Sequence, residues 1–163
     1  MPVRPPQPVS ASRTRTVRLM LPAEANNLGS VFGGVILAEI DRVAYITATR
    51  HARAACVTAS FDRVDFIAPV HVGDLVHVDG QVTFVGKTSM EIGVQVSVER
   101  LDAHRPQLVD DAFVTMVAID PNGHPIAVPD LLVTTDEERL RYENGRRRME
   151  ERRKTRPRPG AKE

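Results

Sequence analysis

The sequence predicts an α+β fold in which one long antiparallel sheet wraps a single central helix, with a second helix at the C-terminus. Three observations carry this. From Gly33 to His51, apolar residues at 35, 36, 37, 40, 43, 44 and 46 suit a helix buried on most of its circumference. Between residues 55 and 120, four β-branched segments alternate polar and apolar side chains at period two. Beyond residue 133 a charged segment places acids early and bases late, as a helix dipole prefers. A sheet closed round one helix joins these elements by short connections.

In chain order, residues 1–12 hold four prolines within the first eight positions and predict a disordered leader. The fold proper spans 13–132. "TRTVRLML" (14–21) alternates as a first strand, and "LPAEANNLGS" is a loop rich in turn formers. Arg50 and His51 suit the negative pole of the helix that follows. Strands are expected at 55–62, 74–86, 87–101 and 107–120, long enough to curve round something. "VGKT" (85–88) and "LDAHRPQ" (101–107) read as hairpin turns, and Asn122-Gly123 marks another. A C-terminal helix is expected over 133–156, with Thr135 and Glu138 as a capping box. Gly145 should weaken it by about 1 kcal/mol relative to Ala. A frayed tail, 157–163, ends the chain.

Composition narrows the function. A chain of 163 residues is one domain by size. No apolar run approaches the roughly 20 residues of a membrane span, and the N-terminus lacks an apolar signal core. The single cysteine, Cys56, rules out an internal disulfide and fits a reducing cytoplasm. Net charge is +1, yet ten of the 22 Lys and Arg residues lie between Arg139 and Arg158. Interleaved Glu residues make that cluster a solvated helical face, with phosphate binding as the sharper alternative. With no Trp and 4% aromatic residues, the chain lacks stacking platforms for nucleic acid. No P-loop, dinucleotide fingerprint or G-x-S-x-G serine motif is present. His71 and His77 lack a third ligand at zinc spacing, so no metal site is expected.

One residue breaks the pattern. Asp41 lies inside the apolar helix, and its helical neighbours Leu37, Ala38, Ala44 and Tyr45 include no cation. Glu39 differs, since Arg42 three residues on gives it an ordinary surface pair. An unpaired carboxylate in an apolar setting costs several kcal/mol or takes up a proton. Either Asp41 bonds to backbone, a distant arginine or the solvent at a helix edge, or it is a base or nucleophile facing a cleft. Gly33-Gly34 sit where the helix should begin. Its first N–H groups lack intrahelical partners, and the absence of side chains lets a ligand oxygen approach. Such donors suit phosphate or a carbonyl oxygen that becomes negative during reaction. Gly34 and Asp41 stand about 10 Å apart along one helix at 1.5 Å per residue. Bringing both to one ligand is simplest when one subunit supplies the acid and another the loop.

The segments "NNLGSVFGGVILAEID", "VTASFDRVDFIAPVHVGDLVHVDGQVTFVGKTSMEIGVQV" and "AFVTMVAIDPNGHPIAVP" resemble the hotdog-fold acyl-CoA thioesterases of the acyl-CoA hydrolase (ACOT-type) family. That family includes small bacterial enzymes and a vertebrate cytosolic hydrolase, whose second domain the C-terminal segment also resembles. The resemblance runs from about Arg18 to Pro129. It implies the hotdog fold, hydrolysis of fatty acyl-CoA to free acid and coenzyme A, and no metal or redox cofactor. By position from Gly33-Gly34 it implies a catalytic pair of Asn26 and Asp41 drawn from different subunits. The backbone N–H of Gly34, with Gly33, would stabilise the oxyanion. Asp41 would act as general base or attack the carbonyl itself. The turn Gly86, Lys87, Thr88 and Ser89 resembles the family's CoA-contacting region, and Arg63 and the C-terminal arginines are further candidates. A homo-oligomer is implied, a dimer of hotdog subunits assembled as a trimer of dimers.

The chain departs from the family pattern at Glu24 (commonly Asp), Phe32 (His in the vertebrate domains), Val35 (Trp in bacterial members) and Ile40 (commonly Met), which bears on acyl-chain preference. The rival readings are a hotdog hydratase or dehydratase, disfavoured because no His lies between Asn26 and Arg50, and a non-catalytic acyl-CoA binding module.

Overall fold

The computed structural model describes residues 5–62, 64–100 and 106–155. The elements run β1 Gln7–Pro8, α1 Val9–Ser12, β2 Thr14–Leu19, a single 3-10 turn Pro22–Glu24, α2 Gly33–Ala52, β3 Ala55–Phe61, β4 Leu75–Val85, β5 Ser89–Glu99, β6 Gln107–Ile119, β7 Leu131–Leu132 and α3 Asp136–Thr155. Five strands form one antiparallel sheet in the order β2-β4-β5-β6-β3. This is the hotdog arrangement, a curled sheet around the long helix α2.

One side of α2 fills the sheet's concave face. Ile36, Ile40, Val43, Ala44, Thr47, Ala48, His51 and Ala52 recur at three- and four-residue spacing and are buried. They meet Val76, Val78, Val82, Ile92, Val94, Val96, Val114 and Met116, all at 2% exposure or less. Gly80 sets the approach of helix to strand. A β-carbon there would stand 2.6 Å from Val43 Cγ1 and 2.8 Å from Thr47 Oγ1. The expectation of a helix buried on most of its circumference is corrected: Tyr45 is 46% exposed and Asp41 is half-buried, so that side of α2 is open in the protomer.

The helix α3 covers the sheet's other face, and its capping box forms as expected. The Glu138 N–H donates to Thr135 Oγ1 at 3.1 Å and the Thr135 N–H to Glu138 Oε2 at 3.3 Å. Gly145, read as a weak point, is where the helix touches the sheet. A β-carbon there would stand 2.7 Å from Phe84 Cβ and 2.8 Å from Glu91 Oε1. Glu91 is fully buried and accepts from Arg148 at 2.8 Å and Arg152 at 3.1 Å. The Arg148 guanidinium also lies 3.6 Å from the Phe113 ring centre. Two cations and stacking compensate an acid that would otherwise be costly to bury.

The leader expectation is corrected for the residues described. Gln7–Pro8 pair in parallel with Leu131–Leu132, and Val9–Ser12 form a helical turn with Val9 and Ser12 buried. Prolines at the edge of a two-stranded pair forfeit no needed donor. The expected turn at 101–107 lies mostly outside the described residues. Asn122-Gly123 does turn the chain: Gly123 has φ +82°, and Asp120 Oδ1 accepts from the N–H groups of Asn122 and His124.

Candidate active site

The site begins where α2 begins. Phe32 is the N-cap and supplies no side-chain hydrogen bond, and the first turn carries no acid. The N–H groups of Gly33 and Gly34 therefore keep the donor capacity of a helix start, with no partner among the described residues. The glycines leave room for two exposed phenylalanine rings. A β-carbon on Gly34 would stand 2.6 Å from Phe32 Cε1, and one on Gly33 would stand 3.3 Å from Phe66 Cζ.

Two turns on, Asp41 points toward β3, where Thr58 Oγ1 donates to its Oδ1 at 2.6 Å. Oδ2 has no hydrogen-bond partner among the described residues, and the carboxylate faces the open side of the helix. A bulge follows directly in β3. Thr58 pairs with Met116 but Ser60 with Thr115, so the register shifts between them and the two hydroxyls leave opposite faces of β3. Thr58 did not emerge from the sequence, because threonine is an ordinary strand residue and only the packing of β3 on α2 brings it to Asp41.

Glu39 reverses the expectation of a surface pair. It is 7% exposed and bridges Arg18 and Arg42, while Arg18 also grips Glu24. Arg18 lies 21 residues away on β2, beyond the reach of helical spacing rules. The acid that looked ordinary is thus the buried, neutralised one. The acid that looked stranded is half-open and held by one hydroxyl.

Asn26 lies in the loop before the helix. Its Oδ1 accepts from the N–H groups of Leu28 at 2.8 Å and Ser30 at 3.2 Å, and its Nδ2 donates to Ser30 Oγ at 2.9 Å. Its own turn thus engages the side chain, and it shares no hydrogen-bond partner with Asp41 in the protomer. The neighbouring Asn27 is exposed.

A second cluster forms on the α3 face. Ser60, Thr88, Ser89, Thr115, Arg152 and Arg153 line a pocket of about 220 Å³. The Thr115 hydroxyl is buried there without a partner. Gly86 closes the turn by donating its N–H to Ser89 O at 2.7 Å, and Lys87 is exposed beside it. Arg152 is pre-positioned by Asp62 at 2.8 Å and by Glu91. Burial raises the Asp62 carboxyl against the pull of Arg152. The structure thus joins the predicted turn to two of the C-terminal arginines. Arg63 lies outside the described residues. His77 pairs with Glu99 at 2.8 Å, and no cluster of three metal-binding side chains occurs among the described residues. Nor is any described helix long and apolar enough to cross a membrane.

With this geometry in view, comparison with known proteins is informative. Residues 28–102 match the thioesterase superfamily. A Bacillus subtilis protein named as an uncharacterized acyl-CoA thioester hydrolase is 40% identical over 133 residues, covering 82% of this chain and 77% of its own length. A crystal structure of an apo-hexameric acyl-CoA thioesterase is 44% identical, with a TM-score of 0.88 over 93% of this chain and 97% of the other. An acyl-CoA hydrolase from Staphylococcus aureus, solved with butyryl coenzyme A, coenzyme A and coenzyme A disulfide, is 35% identical at a TM-score of 0.85 over 92% of each chain. That hydrolase has also been solved with an asparagine, an aspartate or a threonine replaced by alanine, the three spaced by 15 and then 17 positions. Asn26, Asp41 and Thr58 have the same types at the same spacing. The chain belongs to the hotdog-fold acyl-CoA thioester hydrolases of the thioesterase superfamily.

Proposed function

We propose that this protein hydrolyses acyl-CoA thioesters to a free acid and coenzyme A, with Asp41 as general base. The observation that carries the reading is Asp41 on the open side of α2, oriented by Thr58 through one oxygen, with the other left without a partner among the described residues. A water held at Oδ2 gives its proton to the carboxylate as its oxygen attacks the thioester carbonyl. The carbonyl electrons move onto oxygen, and the N–H groups of Gly34 and Gly33 stabilise that charge as it develops. Collapse breaks the C–S bond. The thiolate takes up a proton as coenzyme A, and the acid departs.

Asn26 of one subunit aligns water or thioester beside Asp41 of another. Three features support a shared site. Asn26 and Asp41 have separate hydrogen-bond environments within the protomer. The outer edge of β3 is unpaired among the described residues, with Val57 and Phe61 exposed. Tyr45 is exposed beside Asp41. Two copies joined there would complete two sites, and three such dimers would match the hexameric relative. The pocket of Thr88, Ser89, Arg152 and Arg153 suits coenzyme A phosphates, since hydroxyls and guanidiniums are the donors a phosphate needs. It opens on the sheet face opposite Asp41, a further reason to expect the ligand to run between subunits. The single buried cysteine is consistent with a cytoplasmic enzyme.

Free-thiol release from a panel of acyl-CoAs tests the activity, and subunit mixing tests the shared site. Inactive Asn26→Ala and Asp41→Ala proteins, mixed under exchanging conditions, should regain a substantial fraction of wild-type turnover. A mixture that stays inactive despite demonstrated exchange overturns the shared site, and a wild-type protein that releases no thiol overturns the activity.

A further inference from the structure

We propose that Phe66 sets the acyl-chain length this enzyme accepts, by forming the movable wall of an apolar pocket beside Gly33. The inference rests on the thioesterase reading. The pocket has a volume of about 320 Å³ and lies between the start of α2 and the segment Phe66–Val70. Val31, Ile36, Phe66, Ile67 and Val70 are its larger side chains; among the described residues Ser30 is its only hydroxyl and no charged side chain lines it. Gly33, at one side of it, belongs to the helix start given above to the thioester oxygen. A carbonyl held there would direct its chain into an apolar hollow.

The frame of the pocket is held by backbone. The Ile67 N–H donates to Val109 O at 2.8 Å, and the Val31 N–H to Val70 O at 2.7 Å. Ser30 and His71 form a further bridge. Phe66 differs, because the residue is 53% exposed and its ring lies against the bare backbone of Gly33, where a β-carbon would meet it at 3.3 Å. A rigid frame with one pivoting aromatic wall makes a length filter. Its volume is at the small end of the range of about 300–1,000 Å³ for ligand pockets, which suits short to medium unbranched chains. Longer chains must displace the ring.

The test is kcat/KM by thiol release over even-numbered acyl-CoAs from two to sixteen carbons. For wild type the value should rise by roughly fourfold per buried methylene and then break once the pocket is full. Phe66→Ala should move the break to longer chains by two or more carbons. Phe66→Leu should give a smaller shift in the same direction, and Ala68→Leu, which fills the pocket, should move it to shorter chains. The shift is read for each variant as the ratio of kcat/KM for each longer chain to that for acetyl-CoA, whose two carbons do not reach the wall. Variants that remain folded by circular dichroism but scale every chain length equally, or leave the break in place, overturn the filter without touching the thioesterase reading. Absence of turnover with every acyl-CoA in the wild-type protein would instead refute that reading.

Discussion

Glu39 and Asp41 stand two positions apart on one helix, and the structure gives them opposite surroundings. Glu39 lies on the side that packs toward β2, almost fully buried, and is neutralised by Arg18 and Arg42. Asp41 lies on the side toward the edge strand β3, half-open, with a single hydroxyl from Thr58. Neutralised and enclosed, Glu39 can only hold elements together. Asp41 has one oxygen without a hydrogen-bond partner and no cation bonded to it among the described residues, which is the environment the proposed general base requires. A step of about 200° round the helix separates an enclosed ion pair from a half-open carboxylate.

Exchanging each acid for its amide should separate these roles. Asp41→Asn should lower kcat by roughly 10²–10⁴-fold, read by thiol release, with thermal denaturation unchanged. Glu39→Gln should do the reverse. It should cost about 1–3 kcal/mol of stability, discounted because both arginines are partly exposed, while kcat stays within about threefold. A stable but inactive Glu39→Gln protein would break the comparison.

Thr58 offers a finer test. Thr58→Ala should slow turnover by roughly 10–100-fold, because the carboxylate loses its fixed orientation, whereas Thr58→Ser should retain most of the rate. Equal losses in both would show that the strand surface, not the hydroxyl, positions Asp41.

The smallest expected effect concerns acids and bases in the core. Asp110 is fully buried and its carboxyl is pushed up to about 6 by that burial. The fold therefore prefers the protonated form. Its contribution is complete below about 3.8 and is lost as pH rises through about 6. His51, also fully buried, is shifted the other way: burial lowers it against the Pro129 carbonyl that its Nε2 meets at 3.0 Å. Its contribution is present above 6.5 and declines as pH falls. Asp110→Asn should remove this carboxyl's part of the pH dependence, changing the pH 4-to-7 difference in unfolding free energy by roughly 1–3 kcal/mol. Chemical denaturation at the two pH values measures this, and an unchanged difference would assign the buried carboxyl no part in it.

The architecture was legible because period and turn chemistry are local. The strand limits at Leu75–Val85 and Ser89–Glu99 fall within two residues of those read from alternation, and the Thr135–Glu138 cap formed as its spacing demanded. Asn26, Asp41 and the glycines could be singled out because each breaks its local pattern or matches the family motif. What failed were readings that needed a distant partner. Glu39 looked like a surface residue because Arg18 is remote in sequence. Gly145 looked like a flaw because Phe84 and Glu91 were out of view. Thr58 was missed because its partner, Asp41, meets it only across the fold.

The sequence by itself determined the order of elements, the helix with its glycine start and the one acid out of pattern, since each follows from side-chain spacing along a regular backbone. Only the tertiary structure decided which of two neighbouring carboxylates is enclosed by arginines and which faces an opening. Burial and charge pairing depend on chain segments that meet across the fold, and spacing along one helix carries no information about what stands opposite it.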